Sequence, residues 1–268
     1  MYRIAIHSVP RSGSSWLGEL FNSSYSTKYC FQPLFSYALK NFLSIDSTGG
    51  RIDEFFARLE TTQDEFICQL EKRKEGVLPL FEKRGLVSHI VYKEVRYANI
   101  LKNMMERDAK VRLICIIRNP LAVISSWFSA PKEFDPEWDR AAEWFLGQSK
   151  NKGRDEEFYG FKRWIDAARI FHYLKDHYPD RVMILRYSDL LMDRVGTIDR
   201  LLGFAHLERD EQMNRFISES NERDVSDTYS VFRSRPSDDR WKSVLSQDIV
   251  DGIRNCLKDD PLAIYLSE

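Results

Sequence analysis

Residues 4–17 constrain the fold more than any other stretch, because a short apolar strand runs directly into a turn of small residues and then into a helix. Pro10 ends the predicted strand, and Gly13 allows the backbone to approach a ligand closely. Ser14 or Ser15 is expected to cap the helix. The free N–H groups and the positive dipole end of that helix would then face the turn, which predicts an anion-binding loop.

Arg11 strengthens this prediction, since its guanidinium supplies a positive charge and paired N–H donors for phosphate or sulfate oxygens. The turn is not an ATP-binding loop of the G-x-x-x-x-G-K-[ST] type, because the second Gly and the Lys are absent. It also lacks the G-x-S-x-G sequence of a hydrolase. An ordinary strand-to-helix turn that contains Ser and Arg is the alternative interpretation of this stretch alone.

Charge and composition exclude several function classes. The 268-residue chain has 40 Lys and Arg against 41 Asp and Glu, so it has no overall field that would attract nucleic acid or an anionic membrane. No run of residues is long and apolar enough for a membrane span, and we expect a soluble, cytoplasmic protein. The four cysteines are far apart, so neither a zinc site nor a disulfide framework is expected.

Hydrophobic periodicity predicts strands that alternate with helices, and no linker or repeat divides the chain. This order is typical of an α/β fold, and we expect one doubly wound, P-loop-like domain over residues 1–268 with a mainly parallel central sheet flanked by helices. After the first strand, further strands are predicted at 28–35, 87–92, 111–117 and 181–186. A helix with Asp53 as its cap is predicted over 53–74, and others over 120–128, 137–146, 161–178 and 241–257.

A second polar element follows the most apolar predicted strand, at 111–117. Arg118 leaves the end of that strand, Pro120 suits a first helical turn, and Ser126 lies eight residues after Arg118. Taken alone, this element is better explained as a buried strand whose terminal Arg pairs with a carboxylate. Because ligands bind at the carboxyl edge of parallel sheets, both polar turns are expected at one site.

Both elements resemble parts of the sulfotransferases that use 3′-phosphoadenylyl sulfate (PAPS). The Arg-Ser-Gly-Ser-Ser sequence at 11–15 resembles the 5′-phosphosulfate loop of that family, closest to its carbohydrate-type members. Arg118 and Ser126 match the residue types and the spacing of its 3′-phosphate element. The resemblance implies that PAPS is bound by Arg11, Ser12, Gly13, Ser14, Ser15, Trp16, Arg118, Ser126, Tyr187 and Arg240, with Trp16 and Tyr187 at the adenine and Arg240 in a carboxyl-terminal element.

The resemblance implies in-line transfer of a sulfuryl group from PAPS to a hydroxyl of a carbohydrate, another small molecule or a peptide, without a metal. Sequence alone leaves two alternatives open, a P-loop kinase that uses a nucleotide and a non-catalytic nucleotide-binding protein. It also leaves the oligomeric state open. Residues 36–86 and 130–160 match no known element and are expected to select the acceptor. Residues 219–240 read as a solvated loop or as a basic lid.

Catalysis is assigned to Arg11, Lys93 and Glu94, of which Lys93 and Glu94 follow the predicted strand 87–92. Lys93 fits a Lys of the family, and Glu94 is the expected general base, with His7 in reserve. Adjacent strand residues point to opposite faces, so Lys93 and Glu94 can both face the ligand only if the strand has already ended. Pairing of Glu94 with a neighbouring arginine is the alternative. Gln32 stands where carbohydrate sulfotransferases often have Glu, so a carboxylate is missing there.

Overall fold

The structure, a computed structural model, describes residues 1–222 and 238–266. Its centre is a five-stranded sheet in the order β2-β3-β1-β4-β5, in which every neighbouring pair is parallel. All carboxyl ends therefore lie at one edge of the sheet, as a doubly wound fold requires. The strands are β1 (Tyr2–Ser8), β2 (Thr27–Phe31), β3 (His89–Glu94), β4 (Val111–Ile117) and β5 (Val182–Arg186).

Helices cover both faces of the sheet. The helices of the described residues are α1 (Ser14–Asn22), α2 (Gly49–Thr61), α3 (Glu65–Cys68), α4 (Leu70–Lys74), α5 (Leu101–Arg107), α6 (Pro120–Phe128), α7 (Arg140–Leu146), α8 (Gln148–Asn151), α9 (Phe161–His177), α10 (Tyr187–Met192), α11 (Arg194–Ala205), α12 (Glu211–Glu222), α13 (Trp241–Val244) and α14 (Gln247–Leu257). Three short 3₁₀ turns lie at Pro33–Phe35, Ala98–Ile100 and Pro261–Tyr265.

Two hydrophobic cores follow from the alternation of side chains along the strands. On one face, Ile4, Ile6 and Val91 pack with α1, α10, α11 and α12. On the other face, Ala5 and Tyr92 pack with α2, α5, α6, α9 and α14. Because β1 and β3 contribute to both cores, their side chains are buried on both sides, which confirms the doubly wound α/β fold expected from the sequence. The extent of a single domain over 1–268 stays a prediction.

Several predicted boundaries are corrected by the structure. The third strand is β3, so it includes Lys93 and Glu94 instead of ending before them. The helix predicted over 53–74 is three helices, because the chain turns after α2 and again at Gln69, which has a φ of 53°. Thr48 caps α2 by accepting a hydrogen bond from the N–H of Arg51, so Asp53 is not the cap.

Within the described ranges, no helix is both long enough and apolar enough to cross a membrane. The four cysteines are free thiols, with Cys30 and Cys115 buried and Cys256 exposed. Burial raises the pKa of the Cys30 and Cys115 thiols well above the ordinary range. These two thiols are therefore part of the core, as the sequence predicted for most of the cysteines.

Candidate active site

The turn between β1 and α1 forms a concave loop at the carboxyl edge of the sheet. Arg11 has a φ of 70° and Gly13 a φ of 84°, so two left-handed residues bend the backbone within three positions. Gly13 occupies the N-cap position of α1 and no side chain caps this helix, which corrects the expectation for Ser14 and Ser15. The first N–H groups of α1 therefore remain available to an anion, as the sequence predicted for this turn.

Gly13 is required in this loop for a second reason, which is the close approach of Tyr187. A Cβ at Gly13 would lie 2.5 Å from Cε2 of the Tyr187 ring, too close for any side chain. The same ring lies beneath the guanidinium of Arg118, whose Cζ is 4.5 Å from the ring centroid. Tyr187 thus contacts residues of both sequence elements.

The two elements predicted from sequence meet in space. The Nη1 of Arg118 donates to the backbone carbonyl of Arg11 at 2.8 Å, and the Nε of Arg11 donates to the hydroxyl of Ser126 at 3.1 Å. Asn119 caps α6 by accepting from the N–H of Leu121, so the strand end at Arg118 leads directly into the helix that carries Ser126. The spacing of eight residues therefore brings both side chains to the first loop.

A cavity of about 510 Å³ opens at this junction, and its size is typical of small-molecule sites. Among the described residues that line it, Lys and Arg outnumber acidic residues by seven to three, which favours an anionic ligand. The basic residues are Arg11, Lys72, Lys93, Arg96, Arg118, Lys132 and Arg194, and the acidic ones are Glu19, Glu75 and Glu133.

The aromatic ring of Trp16 forms another part of the cavity wall. The ring of Phe216, which is buried and does not line the cavity, stacks on Trp16 with centroids 6.2 Å apart and an interplanar angle of 27°. The guanidinium of Arg194 lies over Trp16, with Cζ 5.4 Å from the ring centroid. A flat aromatic surface bordered by a cation suits a heteroaromatic base, which is the role that the sequence predicts for Trp16.

Lys93 reaches the cavity from β3, and its Nζ lies 3.4 Å from the Ser15 hydroxyl. Burial lowers the pKa of Lys93 to about 8, and the Glu94 and Glu133 carboxylates oppose this shift. The nearby guanidiniums of Arg96 and Arg11 lower it further. An anion bound beside Ser15 would neutralise this crowded positive charge.

Glu94 does not lie where the sequence predicted. It follows Lys93 within the same strand, so its side chain points to the opposite face, is 0% exposed and does not line the cavity. Burial raises the pKa of Glu94 to about 7. His7, the reserve base, is also fully buried and outside the cavity; burial and then Lys93 lower its pKa to about 3, and its Nε2 lies 3.0 Å from the Tyr92 hydroxyl.

The other candidate residues divide into those that line the cavity and those that do not. Ser14 and Ser15 line it, but the side chain of Ser12 is buried beneath the loop. Arg240 is exposed before α13 and does not line the cavity, in contrast to its predicted role. Of the region 219–240, positions 223–237 lie outside the described residues, as do its remaining arginines at 233 and 235.

Two features of the site were not predicted from the sequence. Asp238 forms an ion pair with Arg118, in which the Nε of Arg118 donates to Oδ1 at 2.6 Å. Glu133 lies beside Arg11 with an Oε2 to Nη1 distance of 3.9 Å. No local pattern marked either residue, because Asp238 is 120 positions from its partner and Glu133 lies in a segment without periodicity.

The family model of the sulfotransferase domain matches residues 2–260 of the chain. The chain belongs to the sulfotransferase family. The sulfotransferase family, which was predicted from residues 11–15 and from the Arg118–Ser126 spacing, is thereby confirmed. No curated protein sequence matches this sulfotransferase significantly.

Solved structures share the fold at low sequence identity. A mouse sulfotransferase, SULT7A1, complexed with PAP, matches with a TM-score of 0.57 and 16% identity over 99% of this chain and 88% of that chain. A sulfotransferase from Alicyclobacillus acidocaldarius matches with a TM-score of 0.54 and 12% identity over 99% and 94% of the two chains. A retinol dehydratase in complex with retinol and PAP matches with a TM-score of 0.54 and 16% identity over 96% of this chain and 80% of that chain. These matches confirm the sulfotransferase fold.

Proposed function

We propose that this sulfotransferase transfers the sulfuryl group of PAPS to a hydroxyl of a carbohydrate or another small-molecule acceptor. The observation that carries the proposal is the contact of Arg118 and Ser126 with Arg11. The first element provides N–H donors and Arg11 for a phosphosulfate, and the second provides Arg118 and Ser126 for a 3′-phosphate. Both lie on the wall of one cavity, so a single nucleotide that carries two anionic groups can bind both.

Each residue has a specific role in this proposal. Arg11, the N–H groups of the loop and Lys93 hold the phosphosulfate and stabilise the negative charge that develops on its bridging oxygen. Arg118 and Ser126 hold the 3′-phosphate by charge-assisted hydrogen bonds. Trp16 supports the adenine. As in phosphoryl transfer, positioning and charge stabilisation supply most of the rate enhancement.

The rest of the cavity lining is compatible with a small-molecule acceptor. It includes the rings of Tyr29 and Phe31 together with the amides of Gln32 and Gln69. Such a mixture of apolar rings and polar amides binds the faces and hydroxyls of a sugar or another compact alcohol. The solved structure of retinol dehydratase with retinol and PAP is one example of this fold beside a small alcohol.

Binding calorimetry tests the nucleotide assignment. We expect adenosine 3′,5′-bisphosphate (PAP) to bind in the presence of a chelator, and to bind more tightly than 5′-AMP, which lacks the 3′-phosphate. ATP with Mg²⁺ serves as the comparison for a kinase. Equal affinity for PAP and 5′-AMP, or a preference for ATP with Mg²⁺, would contradict the proposal.

Transfer of label from [³⁵S]PAPS to a panel of sugars, phenols and aliphatic alcohols then tests the acceptor class. Formation of a labelled sulfate ester with a sugar or alcohol would support the proposal. Tight PAP binding without any labelled ester would favour a non-catalytic nucleotide-binding protein, the second possibility that the sequence left open.

A further inference from the structure

Glu133 lies in the chain segment that follows α6, close to the proposed position of the phosphosulfate. Its backbone is held on both sides, since its N–H donates to the carbonyl of Ala130 at 2.8 Å and its carbonyl accepts from the Nε1 of Trp127 at 3.2 Å. Its Oε2 lies 3.9 Å from the Nη1 of Arg11. The position of this carboxylate relative to Arg11 is therefore determined by the packing of the fold.

The cavity needs a group that accepts a proton, and its described lining contains few candidates. No histidine lines it within residues 1–222 and 238–266. Of its three glutamates, Glu19 is ion-paired with Arg73 at 2.7 Å and is 2% exposed, and Glu75 is exposed just after α4. The third glutamate of that described lining, Glu133, forms an ion pair with Arg11, the residue that is proposed to bind the phosphosulfate.

The Oε2 of Glu133 is buried and has no hydrogen-bond partner among the described residues. A buried carboxylate oxygen without a donor is unfavourable, since hydrogen bonds to charged groups are worth about 1.5–3 kcal/mol each. A hydroxyl group placed beside Arg11 would supply the missing donor. The side chain as a whole is 23% exposed, so a ligand in the cavity can reach it.

We propose that Glu133 is the general base of the transfer reaction, an inference that rests on the proposed function. As the acceptor oxygen attacks sulfur, its proton moves to Oε2 of Glu133. A bond forms between that oxygen and sulfur, and the bond between sulfur and the bridging phosphate oxygen breaks. The electron pair of the broken bond stays on the bridging oxygen, which leaves as part of PAP and is stabilised by Arg11 and Lys93.

This assignment replaces the carboxylate that the sequence lacked. Gln32 stands where relatives of the carbohydrate type often have Glu, and Glu94 points away from the cavity. Glu133 enters from a different element and faces the same loop. The charged and titratable groups that interact with it include Arg11, Lys93, Lys150 and Tyr159, and the Glu133 variants compared below all retain these groups.

Single-turnover hydrolysis of [³⁵S]PAPS tests the proposal without a known acceptor, because water then serves as the nucleophile and the proposal requires the same base to accept its proton. The protein is used in excess, and labelled sulfate is measured in the native protein and in Glu133→Gln, Glu133→Asp and Glu137→Gln. Glu137 is an exposed glutamate of the same segment and serves as the matched control. PAP affinity is measured for each variant by calorimetry.

A positioned base contributes typically about 10²–10⁴-fold, so we expect Glu133→Gln to slow sulfate release at least a hundredfold or to the uncatalysed rate. PAP affinity should stay within about threefold, Glu133→Asp should recover part of the rate, and Glu137→Gln should match the native protein.

Three outcomes would overturn the assignment: native-like hydrolysis by Glu133→Gln, a loss of PAP binding in parallel with rate, or a native protein that binds PAP but does not hydrolyse PAPS. A loss of rate in Glu94→Gln with none in Glu133→Gln would return the role to Glu94. Failure of the native protein to bind PAP would instead contradict the proposed function, so the two failures are distinguishable.

Discussion

The guanidinium of Arg118 is ion-paired with the carboxylate of Asp238, and both side chains are largely buried, at 12% and 11% exposure. Arg118 is the residue to which the proposed function assigns the 3′-phosphate. A carboxylate and a phosphate compete for the same N–H donors of a guanidinium. Binding of PAP to Arg118 must therefore displace or rearrange Asp238.

We expect Asp238→Asn to tighten PAP binding by about threefold to tenfold, because a neutral amide holds Arg118 less strongly than a carboxylate does. Affinity for 5′-AMP should change little, since that ligand has no 3′-phosphate. Calorimetry measures both. Asp239→Asn is the matched control, because Asp239 is exposed and pairs with Lys242. Unchanged PAP affinity in Asp238→Asn would show that the ion pair does not oppose the nucleotide.

Arg118→Ala should abolish the preference for PAP over 5′-AMP. Loss of a charge-assisted hydrogen bond typically costs about 1.5–3 kcal/mol, so PAP affinity should fall roughly tenfold to a hundredfold. The exposed arginine Arg200 of α11 offers a control, because Arg200→Ala removes the same charge away from the cavity. An equal loss of affinity for both nucleotides in Arg118→Ala would indicate a structural effect on the loop.

PAP affinity should fall as the pH rises through about 8, the lowered pKa of Lys93. Above this pH the ammonium loses its proton and no longer pairs with the anion, whereas below it the charge is present. Calorimetry between pH 6.5 and 9.5 measures the effect. Lys93→Arg should keep its affinity at high pH and Lys93→Met should be weaker at low pH. If Lys93→Met shows the same fall above pH 8 as the native protein, Lys93 is not responsible.

Glu94→Gln should raise the free energy of unfolding at pH 8 but change it little at pH 5. Burial raises the pKa of Glu94 in the folded state to about 7, so the folded protein binds the proton more tightly than the unfolded chain does. The resulting stability is present at low pH and is lost as the pH rises through about 7. A neutral Gln avoids that loss, about 1–3 kcal/mol. Urea unfolding at both pH values measures it, and a destabilised variant at pH 8 would contradict it.

Labelled transfer or hydrolysis of PAPS should survive an excess of EDTA, because Arg11, Lys93 and Arg118 supply the positive charge that a kinase takes from Mg²⁺. The measurement is the rate with chelator, with chelator and excess Mg²⁺, and with no addition. Equal rates in all three would agree with the proposal. Activity that returns only on addition of Mg²⁺ would favour the kinase.

Local sequence signals located the loop and the second element, because each depends on residues close together in the chain. Arg118 and Ser126 are both set by one strand end and one helix start, and Pro120 marks that boundary. The face of the sheet on which Glu94 lies could not be predicted in this way, because it depends on the residue at which β3 ends. When the end of a strand is predicted two residues too early, two neighbouring residues are wrongly expected to face the same side.

Contacts between distant segments could not be predicted from the sequence, for a different physical reason. Asp238 reaches Arg118 only because the chain returns to the carboxyl edge of the sheet before α13. Glu133 reaches Arg11 because the segment after α6 folds back over the loop, held by Trp127. Neither placement follows from periodicity or capping, since both depend on tertiary packing.

The left-handed backbone conformation of Arg11 destabilises the fold, whereas its side chain is needed for the proposed activity. Left-handed backbone costs a non-glycine residue roughly 1–2 kcal/mol, and glycine at this position would remove that cost together with the guanidinium. Arg11→Gly would also remove the hydrogen bond from Arg11 to Ser126, and it should be eliminated by a screen for sulfate transfer even in a variant that the relieved backbone strain stabilises. A thermostabilised version of this enzyme should be engineered with position 11 held constant.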